Sequence, residues 1–211
     1  MGDIPKGWEV KKVKDVYSAL FDGPHATPAV TDSGPVFLGI TNMTGTRIDL
    51  SDVRHIAESD FPKWTRRVVP SANDIVFTYE ATLGFCAIIP EGLRCCLGRR
   101  MALVRCDPQI THLLFHTFAS DSFQTQIESR AWHGSTVNRI PLTEFPNYPI
   151  LWPGQKLAEE FGKLTRTWWS AIHHNESESR TLAALRDTLL PKLLSGELRV
   201  KQAEKLVEAK L

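Results

Sequence analysis

The residue types that carry chemistry in most enzymes occur in this chain, but their spacing does not assemble them. Seven histidines are scattered, and the adjacent pair His173-His174 lies in a helical pattern where neighbours point to different faces, a poor geometry for a metal. The cysteines Cys86, Cys95, Cys96 and Cys106 form no C-x-x-C pair with histidine partners, and the neighbours Cys95-Cys96 suit neither zinc nor disulfide geometry. They read as small buried hydrophobes in a reducing cytosol. A metal-dependent nuclease needs clustered carboxylates beside Glu-x-Lys; Glu208-Ala209-Lys210 has that spacing but reads as surface charge on a terminal helix. Methylation of a base needs a glycine-rich cofactor loop and an Asp/Asn-Pro-Pro-aromatic tetrad. Phe145-Pro146-Asn147-Tyr148-Pro149 displaces the prolines and reads as a loop. With no Walker-type phosphate loop either, the expectation is a non-catalytic chain that holds neither metal nor cofactor of its own.

Charge narrows the remaining classes. The 211 residues carry 25 Lys and Arg against 24 Asp and Glu, so no global field draws the protein to a polyanion. Any nucleic-acid affinity must be local, and residues 54–105 hold a surplus of three positive charges. The N-terminus lacks a charged-then-apolar leader, and no run approaches the ~18 apolar residues of a membrane span. A cytoplasmic protein without a membrane partner is expected.

Two kinds of element must position these residues. From Trp8 to about Leu151, short apolar runs are cut by Gly, Pro, Asn and Asp, which predicts strands at 36–40, 74–78, 85–89 and 100–104 and a loop at 21–28. One helix is expected within 111–127, with Leu114, Phe118 and Phe123 near one face. Residues 1–152 therefore read as one mixed α/β (α+β) domain. At Pro153 the character changes. Residues 155–190 contain no proline, and Leu157, Phe161, Leu164, Trp168, Ala171, Asn175, Glu178, Leu182, Leu185 and Leu189 alternate at spacings of four and three. That is a heptad seam, so 153–190 is predicted to be one long coiled-coil-forming helix of about 54 Å. Laid on its own domain, such a helix would leave Leu182, Leu185 and Leu189 in water; it asks for a partner. Asn175 and Glu178 either fix the register as a polar layer or mark a solvated midsection. Residues 191–211 read as a turn and a short amphipathic helix.

Several segments, in order, resemble the specificity subunits of type I restriction-modification systems. They are the opening strand with Gly7-Trp8-Glu9-Val10, the loop Phe21-Asp22-Gly23-Pro24-His25, and the strand and turn Asn73-Asp74-Ile75-Val76-Phe77-Thr78-Tyr79-Glu80. Gly134-Ser135-Thr136-Val137-Asn138-Arg139-Ile140-Pro141-Leu142 and Leu185-Arg186-Asp187-Thr188-Leu189-Leu190-Pro191 complete the set. The order and spacing, spanning nearly the whole chain, carry the likeness. There are two departures: family members commonly have two recognition domains and two helices, and Trp152-Pro153-Gly154-Gln155 keeps only part of their usual helix start.

The resemblance implies a target-recognition domain that enters the major groove of double-stranded DNA, and helices that pack antiparallel to set the distance between half-sites. A half-length chain would achieve this as a homodimer through Leu157, Phe161, Leu164, Trp168, Asn175, Leu182, Leu185 and Leu189, reading an interrupted palindrome. At ~3.4 Å per base pair, a spacer of roughly 50 Å corresponds to about 15 base pairs. It further implies a modification (methyltransferase) subunit that uses S-adenosylmethionine on adenine, and through it a restriction subunit. Lys63, Arg66, Arg67, Thr78, Tyr79, Arg99, Arg100, Asn138 and Arg139 are the implied DNA contacts; each is otherwise a solvated or internally paired side chain. Other readings are the recognition domain of a standalone methyltransferase or nuclease and a homodimeric scaffold without DNA affinity.

Overall fold

Runs of Val, Ile, Phe and Cys with no charge between them can be buried on both faces, and they form the centre of the first of two units, residues 1–166. The structure is a computed structural model, and it describes residues 4–134 and 137–208. An antiparallel four-stranded sheet runs in the order β2 (Ala19–Asp22), β10 (Met101–Arg105), β7 (Ile75–Thr78) and β8 (Cys86–Ile88). Opposite one of its faces lies a three-stranded sheet of β6 (Arg54–His55), β3 (Thr31–Leu38) and β9 (Cys95–Leu97), in which β3 and β9 are parallel. Val76 and Leu103 from the first sheet and Leu38, Cys95 and Leu97 from the second share one core cluster, which fuses the two layers. The alternating residue Phe77 points to the other face. There it stacks on Phe145 at 4.8 Å and meets Phe118 edge-on at 6.4 Å, in an aromatic cluster that includes Phe123 and Tyr148.

To that cluster α2 (Thr111–Ala119) gives Phe118 and α3 (Asp121–Arg130) gives Phe123, while Phe145 and Tyr148 come from the 3-10 turn Phe145–Asn147 and the residue after it. One helix was expected here and there are two. Ser120 is extended at φ −71° and ψ 146°, and its hydroxyl accepts the Phe123 N–H, so the serine ends one helix and caps the next. The expected loop at 21–28 gives its first two residues to β2, and the strand expected at 36–40 stops at Leu38, after which Ile40–Asn42 turn as a 3-10 helix. All four cysteines are free and buried, three of them in β8 and β9, and burial pushes the thiols of Cys86, Cys95 and Cys96 up to about 12. Smaller pieces complete the unit: the short helix α1 (Phe61–Trp64), the hairpin of β4 (Met43–Thr44) and β5 (Arg47–Ile48), and the hairpin of β11 (Trp132–His133) and β12 (Asn138–Arg139). Finally β1 (Glu9–Lys12) pairs with β13 (Pro149–Trp152), tying the start of the unit to the strand that precedes the long helix.

The long helix α4 covers Gln155–Leu194, about 60 Å at the usual rise. Its first turns pack in the first unit through small residues. Ala158, Gly162 and Thr165 are buried, and a Cβ on Gly162 would collide with the backbone carbonyl of Gln109. Arg166 donates to the Pro108 carbonyl at 2.8 Å, and His116 meets the Phe161 ring at 5.5 Å.

The second unit, residues 167–211, holds the rest of α4 and α5 (Val200–Glu208). Helix α4 continues through Pro191, beyond the predicted end at 190. Proline removes the N–H that would have reached back a turn and crowds the carbonyl four residues earlier, and it stands in the last turn, three residues before the end. The chain then reverses at Gly196, which has a φ of 77°, and the N–H of Leu198 donates to the Lys192 carbonyl at 3.0 Å. Leu189 on α4 and Ala203 on α5 are both buried. Of the terminal segment expected as a short helix, the last three residues lie outside the described ones, as do Ala209 and Lys210 of the Glu-x-Lys motif, Met1 to Asp3 of the N-terminus, and Ser135 and Thr136 of the resemblance segment at 134–142.

Candidate nucleic-acid interface

Residues distant in sequence meet where β7 ends and β10 begins. Tyr79 follows β7, and its N–H donates to the carbonyl of Arg100, the residue before β10. Its own carbonyl accepts the N–H of Ile140, the Ala81 N–H donates to the Asn138 carbonyl, and Glu80 bridges Arg139, so β12 is fastened to this end of the sheet. From β2, Asp22 pairs with Arg67 and lies 3.2 Å from His25. The Arg100 Nε is 3.9 Å from a carboxylate oxygen of Glu80. Tyr79 reports the whole group: burial first, then the negative charges of Glu80 and Asp22, push its phenol up to about 12, against Arg67 and Arg139. It stays a neutral O–H donor at physiological pH, and among the described residues neither that hydroxyl nor the buried Arg100 Nε has a protein hydrogen-bond partner.

Backbone geometry makes this end compact. Arg100 has a φ of 74°, a left-handed conformation that ordinary side chains adopt at a cost of order 1–3 kcal/mol. A Cβ on Gly23 would strike the carbonyl of Gly98, so the turn after β2 reaches the turn between β9 and β10 only because residue 23 is glycine, while a Cβ on Gly98 would instead crowd the Leu38 carbonyl.

Of the nine implied contacts, the fold thus brings together Arg67, Tyr79, Arg100, Asn138 and Arg139. Arg66 and Arg99 are exposed beside Arg67 and Arg100, and Lys63 is exposed on α1, whose Trp64 is buried edge-on against Phe37. Thr78 is fully buried, and its hydroxyl accepts the Phe85 N–H at 3.1 Å; its work in this structure is to shape the turn. Elsewhere the local positive surplus is absorbed: Arg105 binds the buried Asp74 with two donors at 2.8 and 2.6 Å, and Arg94 pairs with Glu58 while covering Phe61. Among the described residues, no group of three or more His, Cys, Asp or Glu is placed to hold a metal ion, and no helix is long and apolar enough to cross a membrane.

On α4 the expected seam is open to solvent: Leu157 is 46% exposed, Leu164 55%, Trp168 58% and Leu182 43%. Asn175 is exposed too, whereas Phe161 and Leu185 are half-buried and Leu189 is buried.

No protein-family model matches the chain. It is 33% identical, over 216 aligned residues and 95% of its own length, to the Type I restriction enzyme MjaIX specificity subunit of Methanocaldococcus jannaschii. The chain is a relative of the type I restriction enzyme specificity subunits. The HindI specificity subunit of Haemophilus influenzae is 21% identical over 92% of the chain. The chain spans about half the length of these curated relatives, 46% and 42%. Its fold, a mixed α and β domain followed by a long helix, matches the crystal structure of a type I S subunit from M. genitalium with a TM-score of 0.62 at 14% identity, covering 92% of this chain and 48% of that one. An HsdS subunit from Thermoanaerobacter tengcongensis matches at 0.50 and 18% identity, over 93% and 47%.

Three residues of this specificity-subunit relative that complete the cluster were not singled out by sequence reasoning: Asp22, Glu80 and Trp132. Asp22 and Glu80 carry no local signature, because each meets its arginine across the sheet end. Trp132 had one faint signal, a tryptophan next to a histidine just before a glycine, the composition of an exposed hairpin.

Proposed function

We propose that the chain is the DNA-recognition subunit of a type I restriction-modification complex and that it performs no chemistry itself. Its α/β domain reads a half-site in the major groove with the side chains around Tyr79, and α4 pairs antiparallel with α4 of a second copy. The observation that carries this reading is the solvent-exposed apolar stripe Leu157, Leu164, Trp168 and Leu182 on a helix of 40 residues, in a chain related to specificity subunits. Isolated apolar side chains on a surface need no explanation, but a stripe in heptad register does. A two-fold pair presents two identical reading domains in inverted orientation, which match an interrupted palindrome with about 15 base pairs between half-site centres. The paired helices then offer the surface on which a methyltransferase subunit, supplying S-adenosylmethionine, and through it a restriction subunit, are positioned.

Light scattering on the purified chain tests the pairing, and selection from randomised duplex DNA in the presence of a methyltransferase subunit tests the reading. A dimer that enriches two inverted half-sites is expected. A stable monomer at micromolar concentration would refute the pairing, and enrichment of one unsplit site would refute the spacer.

A further inference from the structure

The cations gathered around Tyr79 are not equivalent. Arg67 is held by Asp22, and Arg100 is half-buried beside Glu80. A guanidinium already facing a carboxylate adds little net charge and must break a contact before it can grip a base. Arg139 differs: it is exposed, it enters no ion pair among the described residues, and its guanidinium carbon lies 4.8 Å from the ring centroid of Trp132, its cross-strand partner. Trp132 is itself 48% exposed, so it is not serving a core. The two side chains form a flat, stacked pair on a two-stranded ribbon, an element of a size the major groove admits.

We propose that Arg139, stacked on Trp132, is the specificity-determining side chain of this domain and reads one guanine in each half-site through its O6 and N7 edge. The inference rests on the DNA-reading function above. Three observations carry it. The stack restrains a side chain that otherwise has many rotamers, so less freedom is lost when the planar fork meets a base. The strand beneath is fastened to the central sheet by the Ala81–Asn138 and Ile140–Tyr79 backbone hydrogen bonds, at 3.0 and 2.7 Å, which fixes the position of the fork against a rigid element. Of the remaining clustered arginines, Arg67 is paired with Asp22 and the half-buried Arg100 lies 3.9 Å from Glu80, which suits them to orienting the loops and meeting phosphates. Arg139 is left for bidentate pairing with guanine, the commonest specific arginine contact.

The test is selection from randomised duplex DNA by the full chain with a methyltransferase subunit, comparing wild type with R139K and W132L. R139K keeps the charge and loses the fork. Both R139K and W132L replace exposed side chains, and thermal unfolding checks that each variant is folded. The expected result for R139K is the wild-type motif and salt dependence with preference for guanine reduced roughly 5- to 150-fold at one position of each half-site. W132L loosens the same position to a smaller extent. If R139K returns the unaltered wild-type motif, this assignment is overturned while the DNA-reading function stands. If the wild-type chain enriches no sequence, that function falls and this inference with it.

Discussion

At the scale of single residues, this surface is governed by pairing more than by the number of charges. Arg67 and Asp22 form an exposed ion pair of the kind worth about 0–1 kcal/mol to the fold, so its loss should hardly affect stability. Its effect belongs to binding. If Arg67 neutralises a phosphate when DNA arrives, Arg67→Ala weakens all sequences alike and lowers the magnitude of the salt slope by about 1. Binding titrations over a range of salt read this directly, and an unchanged slope would remove Arg67 from the contact set. Asp22→Asn should act in the opposite sense, because it frees the guanidinium. These pairings were not legible in the sequence. The arginines were visible as a local surplus, but Asp22 and Arg67 are 45 positions apart, and no spacing rule joins a strand end to a distant loop.

At the scale of elements, what was readable followed from how fully each strand is buried. The runs at 74–78, 85–89 and 100–104 announce themselves because their observed strands are buried throughout or nearly so, and continuous apolar sequence has few other uses. Strand β9 escaped because Cys95-Cys96 invites questions of redox chemistry before questions of packing, and its parallel pairing with β3 joins segments about 60 residues apart. The break at Ser120 was hidden because a serine capping one helix looks like a serine inside another until the backbone is seen. The seat of α4 was hidden too. The heptad stripe drew attention to one face, while the face that touches its own domain is made of Ala158, Gly162 and Thr165, residues that sequence patterning undervalues. That face gives a stability prediction. Gly162→Val places a branched side chain against the Gln109 carbonyl, which backbone must move to accommodate, and should destabilise the first unit by roughly 1–3 kcal/mol. Urea unfolding measures it. Gly154→Ala is the comparison: nothing lies within reach of an added Cβ there, so only the strain of a φ of 93° is felt.

At the scale of the whole molecule, the proposed spacer turns length along α4 into distance along DNA, and that conversion can be changed at will. In an antiparallel pair, each reading domain sits near the start of its own helix, so lengthening both helices by the same amount moves the two domains apart by that amount. Seven residues inserted between Asn175 and Glu178, in the stretch whose seam positions are polar, add about 10.5 Å while keeping the stripe on the same side. The half-sites selected from randomised DNA should then keep their sequences and move apart by about 3 base pairs. Five inserted residues make the sharper comparison. They add about 7.5 Å, but they rotate the seam downstream of the insertion by about 140° relative to the part before it, so that Leu182 and Leu185 no longer continue the line of Leu164 and Trp168. That variant should lose dimerisation by light scattering and with it the second half-site, while the domain keeps its secondary structure by circular dichroism. A seven-residue insertion that left the half-site spacing unchanged would mean that something other than α4 sets the distance between the reading domains.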